Sequence, residues 1–436
     1  VSHSDSAGAA RRGLGTVGRV TTGRSARRRG PAARPHGPAP RLRRATSGLA
    51  LAAGVALLGG CATNAPQDTW QPKGPNAKLI DDLQRPVFAV AGIVGVIVVV
   101  SVVWAIWRYR DRGQPIPAQT HGNPALEITL TVIPALILTV IGILTFRTVL
   151  ELAQTDDTEL IVNVTGQQWW WEYDYPVQED FGITQPIITS GQLVFPAGTK
   201  VLLRETSRDV IHSYWIPALN GKRDAVPGRV HTLRIEADEP GIYAGQCTEF
   251  CGLSHGNMRM EAVALSADDF AAWVATQQEA YVAPAAGTLA KAGEEVFLNQ
   301  CVRCHQVNGL QRADGTPAIA APDENVWSGA APNLTHLMTR NTFAGAKFDL
   351  LTPACRERVW GASAADFGGR YLSGVSRECL NENALRAWLR NAPAVKPMYA
   401  NPTQLEVTGG KYRGMPNLGL SEADIDKLVA YLMTRQ

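Results

Sequence analysis

Apolar positions along the 436-residue chain change period twice, and each change marks a different kind of structure. Val87 to Trp107 is a run of 21 residues without a charge. As a helix it is about 31 Å long, enough to cross the hydrocarbon of a bilayer. Ala125 to Phe146 repeats the pattern, interrupted by Glu127 and Pro134. Together they predict a two-helix transmembrane hairpin within 85–148. From Leu160 the period falls to two: LIVNV, VLLRE and TLRIE alternate, and GIYAGQC and MRMEAVAL follow, with Gly, Pro and Asp between them. That pattern predicts short strands in an antiparallel sandwich over 158–282. Ser266 to Ala280 reads as a helix capped by Ser266 with Asp269 at its third position. Residues 283–290 read as a linker. A last helix, capped by Ser421 with Asp424 three residues on, closes a separate module over 291–436.

Charge divides the chain unevenly. Of 42 basic and 39 acidic residues, residues 1–45 hold eleven Arg and one Asp, leaving 31 and 38, a net charge of −7. The basic start is therefore no sign of nucleic-acid binding. Residues 1–40 lack periodicity and open on Val1, as expected of a disordered extension or of sequence upstream of the true start. Residues 41–61, RLRRATSGLALAAGVALLGGC, have the basic, apolar and small-residue regions of an export signal. Arg108, Arg110 and Arg112 lie between the two apolar runs, so the positive-inside rule puts that connection in the cytoplasm and both flanks outside.

The chemistry concentrates in two places. Cys247 to Met258, CTEFCGLSHGNM, offers two thiols, an imidazole, a carboxylate and a thioether, and His212 in DVIHSYWIP is the upstream imidazole that completes the set. Thiolate and thioether sulfur favour copper over zinc, and a second thiolate exceeds what a mononuclear blue-copper site uses but can bridge two coppers. A structural zinc knuckle or a Cys247–Cys251 disulfide is the bland alternative. Cys301-Val302-Arg303-Cys304-His305 has the spacing that attaches c-type haem, and Met338, Met398, Met415 and His336 are the candidates for the sixth iron ligand. With these four cysteines assigned and Cys61 at the end of the export signal, the remaining two of seven, Cys355 and Cys379, are expected to pair outside the cytoplasm. In GQQWWWEYDYP, strand alternation puts Trp169 and Trp171 on one face and Trp170 on the other, so at least one is expected to be exposed. Glu127 reads equally as a solvated interface residue or part of a proton route.

SRDVIHSYWIP, KRDAVPGR and GQCTEFCGLSHGNM, within 66–265, resemble subunit II of the haem–copper cytochrome c oxidases. The resemblance implies a cupredoxin-like sandwich. In it His212, Cys247, Cys251, His255 and Met258, with the backbone carbonyl of Glu249, hold binuclear copper A, while the Glu249 carboxylate faces a magnesium ion shared with subunit I. It also implies that Trp169 is the surface point where electrons enter. NPALEITLTVIP resembles the start of the family's second helix, which implies that Glu127 lies at the mouth of a proton path into subunit I. Leu58-Gly59-Gly60-Cys61 resembles a bacterial lipobox, implying an acylated Cys61; an ordinary signal peptide is the alternative. GMPNLGLSEADIDKLVAYL resembles the end of class I cytochromes c, all-α domains. That selects Met415 as the iron ligand beside Cys301, Cys304 and His305, with Met398 the alternative. Pro332, in APNLTHL, would orient His305 through its carbonyl, and the length of 306–414 implies an insertion.

The whole is similar to subunit II of caa-type oxidases, in the bacterial plasma membrane with both redox modules on its outer face. The resemblance implies electron flow from covalent haem c to copper A and on to subunit I, where oxygen is reduced with proton translocation. It implies subunits I and III and a cytochrome bc-type donor as partners. Fusion makes the haem-to-copper encounter intramolecular, at an effective concentration on the order of millimolar. A membrane-anchored electron shuttle outside any oxidase is the alternative. A nitrous-oxide-reducing enzyme would need a second, His-rich copper cluster, which eight histidines do not supply.

Overall fold

The computed structural model describes residues 65–113, 118–119, 121–319, 329–401, 403–404, 406 and 413–436. The expected extension over 1–40 and the export signal with Cys61 lie outside the described residues. Two long apolar helices come first: α1, Pro75–Arg108, of 34 residues, and α2, Pro124–Leu152, of 29. Each carries proline at its start, where the missing N–H costs nothing. Their apolar side chains face outward along nearly the whole length, as membrane-spanning surfaces do. Helix α1 begins well before residue 85 because its first turns serve the sandwich, not the bilayer. Asn76 and Asp81 are buried there, and the Asn76 side chain donates to the Arg234 carbonyl at 3.2 Å while accepting from the Arg234 guanidinium at 3.0 Å. At the other membrane face Asn123 caps α2, and Glu127 stands exposed in its first turn, where an acid suits the helix dipole.

Ten strands follow, of which the alternation named β1, β5, β8, β9 and β10: β1 (Leu160–Gln167), β2 (Trp170–Tyr175), β3 (Ile187–Ser190), β4 (Gln192–Pro196), β5 (Val201–Ser207), β6 (His212–Tyr214), β7 (Arg223–Ala225), β8 (His231–Ile235), β9 (Gly241–Gln246) and β10 (Arg259–Leu265). A five-stranded sheet, β3-β2-β1-β5-β8, packs with a three-stranded one, β4-β10-β9, and β6 and β7 form a short hairpin. The sandwich is not wholly antiparallel. Strand β1 runs parallel to β5, with Val162 opposite Leu203, and β10 runs parallel to β4. Alternation fixes which side chains point inward; it carries nothing about the direction of the neighbouring strand. Helix α3 (Ala267–Gln277) closes one side under the predicted Ser266 cap, which accepts from the Asp269 N–H at 3.2 Å, and buries Phe270 and Trp273.

The C-terminal module is built on two crossing helices, α4 (Leu289–Gln300) and α8 (Glu422–Leu432), the latter under the predicted Ser421 cap. They cross at Gly293, where a Cβ would meet the Lys427 carbonyl at 1.9 Å. Phe297 and Tyr431 pack beside the crossing at 5.2 Å. Just before the segment read as a linker, Tyr281 donates to Glu294 at 2.8 Å and lies under the Arg435 guanidinium at 4.3 Å. The expected insertion holds a two-stranded ribbon, β11 (Thr342–Phe343) and β12 (Phe348–Asp349), then α5 (Pro353–Trp360), α6 (Ala364–Leu372) and α7 (Glu382–Val395). The ribbon departs from an all-helical module; Phe343 and Phe348 hold it against Trp388. Cys355 and Cys379 form the expected disulfide across 24 residues, worth about 3 kcal/mol by loop-closure entropy.

The insertion is packed onto the sandwich through buried polar contacts. Gln192 donates to Glu261 at 2.6 Å, and its carbonyl oxygen accepts from the Asn341 N–H at 3.0 Å and the Tyr371 hydroxyl at 3.1 Å. Burial pushes the Glu261 carboxyl up to about 7, against 4.5 when unfolded. A raised acid stabilises fully below the unfolded pKa and loses that contribution as pH rises through the folded one, here over roughly pH 4.5 to 7 and by about 3 kcal/mol. Denaturant melts at pH 5 and 8 should show this loss in the native chain and its near absence in Glu261→Gln; equal pH dependence in both removes Glu261 as its source.

Candidate functional site

The loop from β9 to β10 is tied to β6, since Cys247 N–H donates to the Met258 carbonyl at 2.9 Å and Thr248 N–H to that of Ser213 at 3.0 Å. This brings His212, on β6, beside the loop's sulfur atoms. Cys247 and Cys251 Sγ lie 3.8 Å apart, not bonded as a disulfide. Around them stand His212 Nδ1 (4.0 Å from Cys247), His255 Nδ1 (3.5 Å from Cys251), Met258 Sδ (3.8 Å from Cys251) and the Glu249 carbonyl (3.3 Å from Cys247). All six residues singled out in the sequence therefore converge on one point. His212, both cysteines and Met258 are buried there, while the Glu249 carboxylate is on an exposed residue. Hydrogen bonding from Cys251, aided by His212, pulls the Cys247 thiol far below its usual range, whereas that same hydrogen bond, together with burial, drives Cys251 up. Two sulfurs that cannot both hold charge in water-free surroundings are a site for a cation. Two thiolates, two imidazoles, a thioether and a carbonyl fit soft copper better than a four-coordinate zinc site.

Asp209, not singled out in the sequence, completes the shell. Its Oδ1 lies 2.8 Å from His212 Nε2, which fixes the ring so that Nδ1 faces the sulfurs. Burial would raise this carboxyl, but hydrogen bonding and charge from His212 outweigh it and hold it low. The position three residues before His212, in DVIH, was the available signal.

The second site is a cavity of about 360 Å³ lined by Cys301, Cys304, His305, Met398, Met415 and Arg340, among others. His305 Nδ1 lies 2.7 Å from the Pro332 carbonyl, the contact anticipated from sequence, an arrangement that fits Nε2 as the nitrogen a haem iron would take. Burial keeps that imidazole neutral. Arg340 is buried, its Nε has no hydrogen-bond partner among the described residues, and burial pushes its pKa down to about 10. An apolar slot with two thiols, an imidazole, thioethers and an underpaired cation fits a haem with its anionic side chains. Of the four candidates for the sixth ligand, Met398 and Met415 line the cavity; Met338 is core, and His336 Nδ1 pairs with the Gln436 carbonyl at 2.7 Å.

The two sites share a wall. Gln168, Trp169, Trp170 and Asp209, all from the sandwich, also line the cavity. Trp169 Nε1 and Gln168 Nε2 both donate to the Cys251 carbonyl, at 3.0 and 2.8 Å. Gly252, at φ +110°, permits this approach: a Cβ would come within 2.9 Å of Gln168 Nε2 and 3.3 Å of the Trp169 ring. Contrary to the alternation argument, none of the three tryptophans is exposed, and Trp169 is only 2% accessible. Trp169 lies in the turn between β1 and β2, and the C-terminal module covers it: Tyr399 packs on its ring at 5.3 Å and Lys396 donates to its carbonyl at 2.8 Å. Lys396 and Tyr399 carried no signal in the sequence.

A membrane-anchored redox protein is the class that two such sites, on two spanning helices, define. Comparison with known proteins agrees. The profile of the cytochrome c oxidase subunit II transmembrane domain matches residues 67–148, that of its periplasmic domain residues 182–265, and that of cytochrome c residues 290–353. Cytochrome c oxidase subunit 2 of Alkalihalophilus pseudofirmus is 32% identical over 386 residues, covering 86% of this chain and 93% of the relative. That of Bacillus sp. (strain PS3) is 33% identical, covering 73% and 76%. The crystal structure of the periplasmic domain of subunit II from Bradyrhizobium japonicum is 29% identical, covering 29% of this chain and 97% of that one, with a TM-score of 0.27. The chain belongs to the cytochrome c oxidase subunit 2 family and carries a C-terminal cytochrome c domain. It is a component of an oxidoreductase complex of the bacterial membrane, anchored by two helices, with its folded domains outside.

Proposed function

We propose that electrons enter at a single haem c held by Cys301, Cys304, His305 and Met415, cross Trp169, and reach a two-copper centre held by His212, Cys247, the Glu249 carbonyl, Cys251, His255 and Met258. From there they leave for subunit I, where oxygen is reduced with proton translocation. The bound groups supply one-electron chemistry; the residues supply position and electrostatics. The observation that carries the reading is Trp169, whose ring walls the cavity while its N–H donates to the Cys251 carbonyl at 3.0 Å. Asp209 keeps His212 in one tautomer and orientation. Pro332 does the same for His305.

Met415 is preferred to Met398 because it directly precedes Pro416 and the turn into α8. Subunits I and III are the proposed partners and a cytochrome bc-type complex the proposed donor. Glu249, with its exposed carboxylate, suits a magnesium ion at the contact with subunit I, and Glu127 is proposed at the mouth of a proton path. Purified from membranes in mild detergent, the chain is expected to bring subunit I with it and to hold two coppers and one haem. A chain that purifies alone would favour the shuttle. Met415→Ala should lower the haem reduction potential while Met398→Ala leaves it nearly unchanged, because a thioether ligand raises the potential; the reverse pattern reassigns the ligand to Met398.

A further inference from the structure

Between the cavity and the metal loop lies a residue whose burial is costly. Lys396 is 2% exposed, and its ammonium has no carboxylate within ion-pair distance among the described residues. Its Nζ donates to two carbonyls, that of Trp169 at 2.8 Å and that of Ala344 at 2.7 Å. Burying an ammonium against neutral acceptors stabilises poorly compared with an apolar side chain of the same length. Position is what the arrangement provides. A kink at Asn391, with Pro393 in the short helical piece that follows, redirects α7 before it ends at Val395, so that Lys396 and Tyr399 meet the sandwich. Ala344 belongs to the turn between β11 and β12, which is itself fixed to the sandwich by the Arg259 N–H donating to the Gly345 carbonyl at 3.0 Å. The Tyr399 ring packs against that of Trp169 at a tilt of 47° and also comes within 3.6 Å of where a Gly252 Cβ would stand.

Trp169 is thus held at three points: its carbonyl by Lys396, its ring by Tyr399 and its N–H by Cys251. We propose that Lys396 and Tyr399 are positioning residues for electron transfer, fixing Trp169 between the haem cavity and the copper loop so that the two redox modules act as one rigid unit instead of docking and releasing. This deepens the function proposed above and rests on it. It replaces the tethered encounter expected from the fusion alone.

The test uses the intact membrane complex, with the haem reduced by one electron from an added photoexcited ruthenium complex and copper reduction followed optically. The native rate is expected to be independent of viscosity and ionic strength. Lys396→Met and Tyr399→Leu should each slow transfer about tenfold, and Tyr399→Phe, which keeps the ring, should restore the native rate. Copper content, haem content and both reduction potentials should stay native, and hydrogen exchange at the Trp169 indole should quicken in Lys396→Met. If Lys396→Met does not retain haem, Tyr399→Leu against Tyr399→Phe makes the same comparison. Native rates in both disruptive variants with unchanged indole exchange, or a native rate that falls as viscosity rises, would overturn the proposal. A native complex whose reduced haem never reduces the copper would instead overturn the function on which it rests.

Discussion

Cys247→Ser is expected to abolish the proposed two-copper centre while leaving the haem and the fold in place. The thiol at 247 faces His212, the Glu249 carbonyl and Cys251, and Cys251 in turn faces His255 and Met258, so the two sulfurs together link the donors of the site. A serine hydroxyl at this position remains protonated near neutral pH and is a harder, weaker donor, unable to bridge two soft ions. Metal analysis should find at most one copper per chain, and electron spin resonance should lose the signature of an electron shared by two copper nuclei. Haem absorbance should be native, since Cys301 and Cys304 belong to a separate module. The Cys251→Ser variant should behave alike. Two coppers retained in both variants would sink the assignment.

The second large effect concerns the other cysteine pair. With Cys301→Ser and Cys304→Ser together, no thioether can form, and haem should be absent from the chain on a denaturing gel. The consequence reaches further, because the cavity of about 360 Å³ lies between α4, α8 and the insertion. Left empty, it removes packing partners from Phe297, Leu389 and Leu428 together. Limited proteolysis should therefore cut the C-terminal module quickly in the double variant and leave the native one intact. Copper content should be nearly native, because the sandwich has its own core around Val162, Tyr173, Phe195 and Val263. A protease-resistant module in the absence of haem would show that the cavity is not the attachment site.

Both candidate cofactor loops were legible in the sequence because each is nearly contiguous: Cys247 to Met258 spans a single loop, and Cys301 to His305 a single turn. The caps at Ser266 and Ser421 were legible for the same reason, and so were the apolar spans. What was hidden depends on chain segments that meet only after folding. Lys396 and Trp169 are 227 positions apart, and nothing in the sequence near either one marks the other. The burial of Trp169 followed from that meeting, since strand alternation speaks only for the sheet and not for what lies on it, whereas Trp171 is buried within the sandwich against Tyr214 and His212. The parallel pairing of β1 with β5 was invisible likewise, as both strands read the same in either direction. Asp209 is intermediate: its closeness to His212 was visible, but its contact needed the fold.

Helix α1 does not stop at the bilayer surface; it continues without a break into the base of the sandwich, where Asn76 and Arg234 are joined. The sandwich is therefore keyed to the rotation of a membrane helix, like a blade on a shaft. Adding or deleting one residue between Asp81 and Pro86 would turn the copper-bearing end by about 100° relative to the membrane partners, with every side chain of both sites still correctly folded.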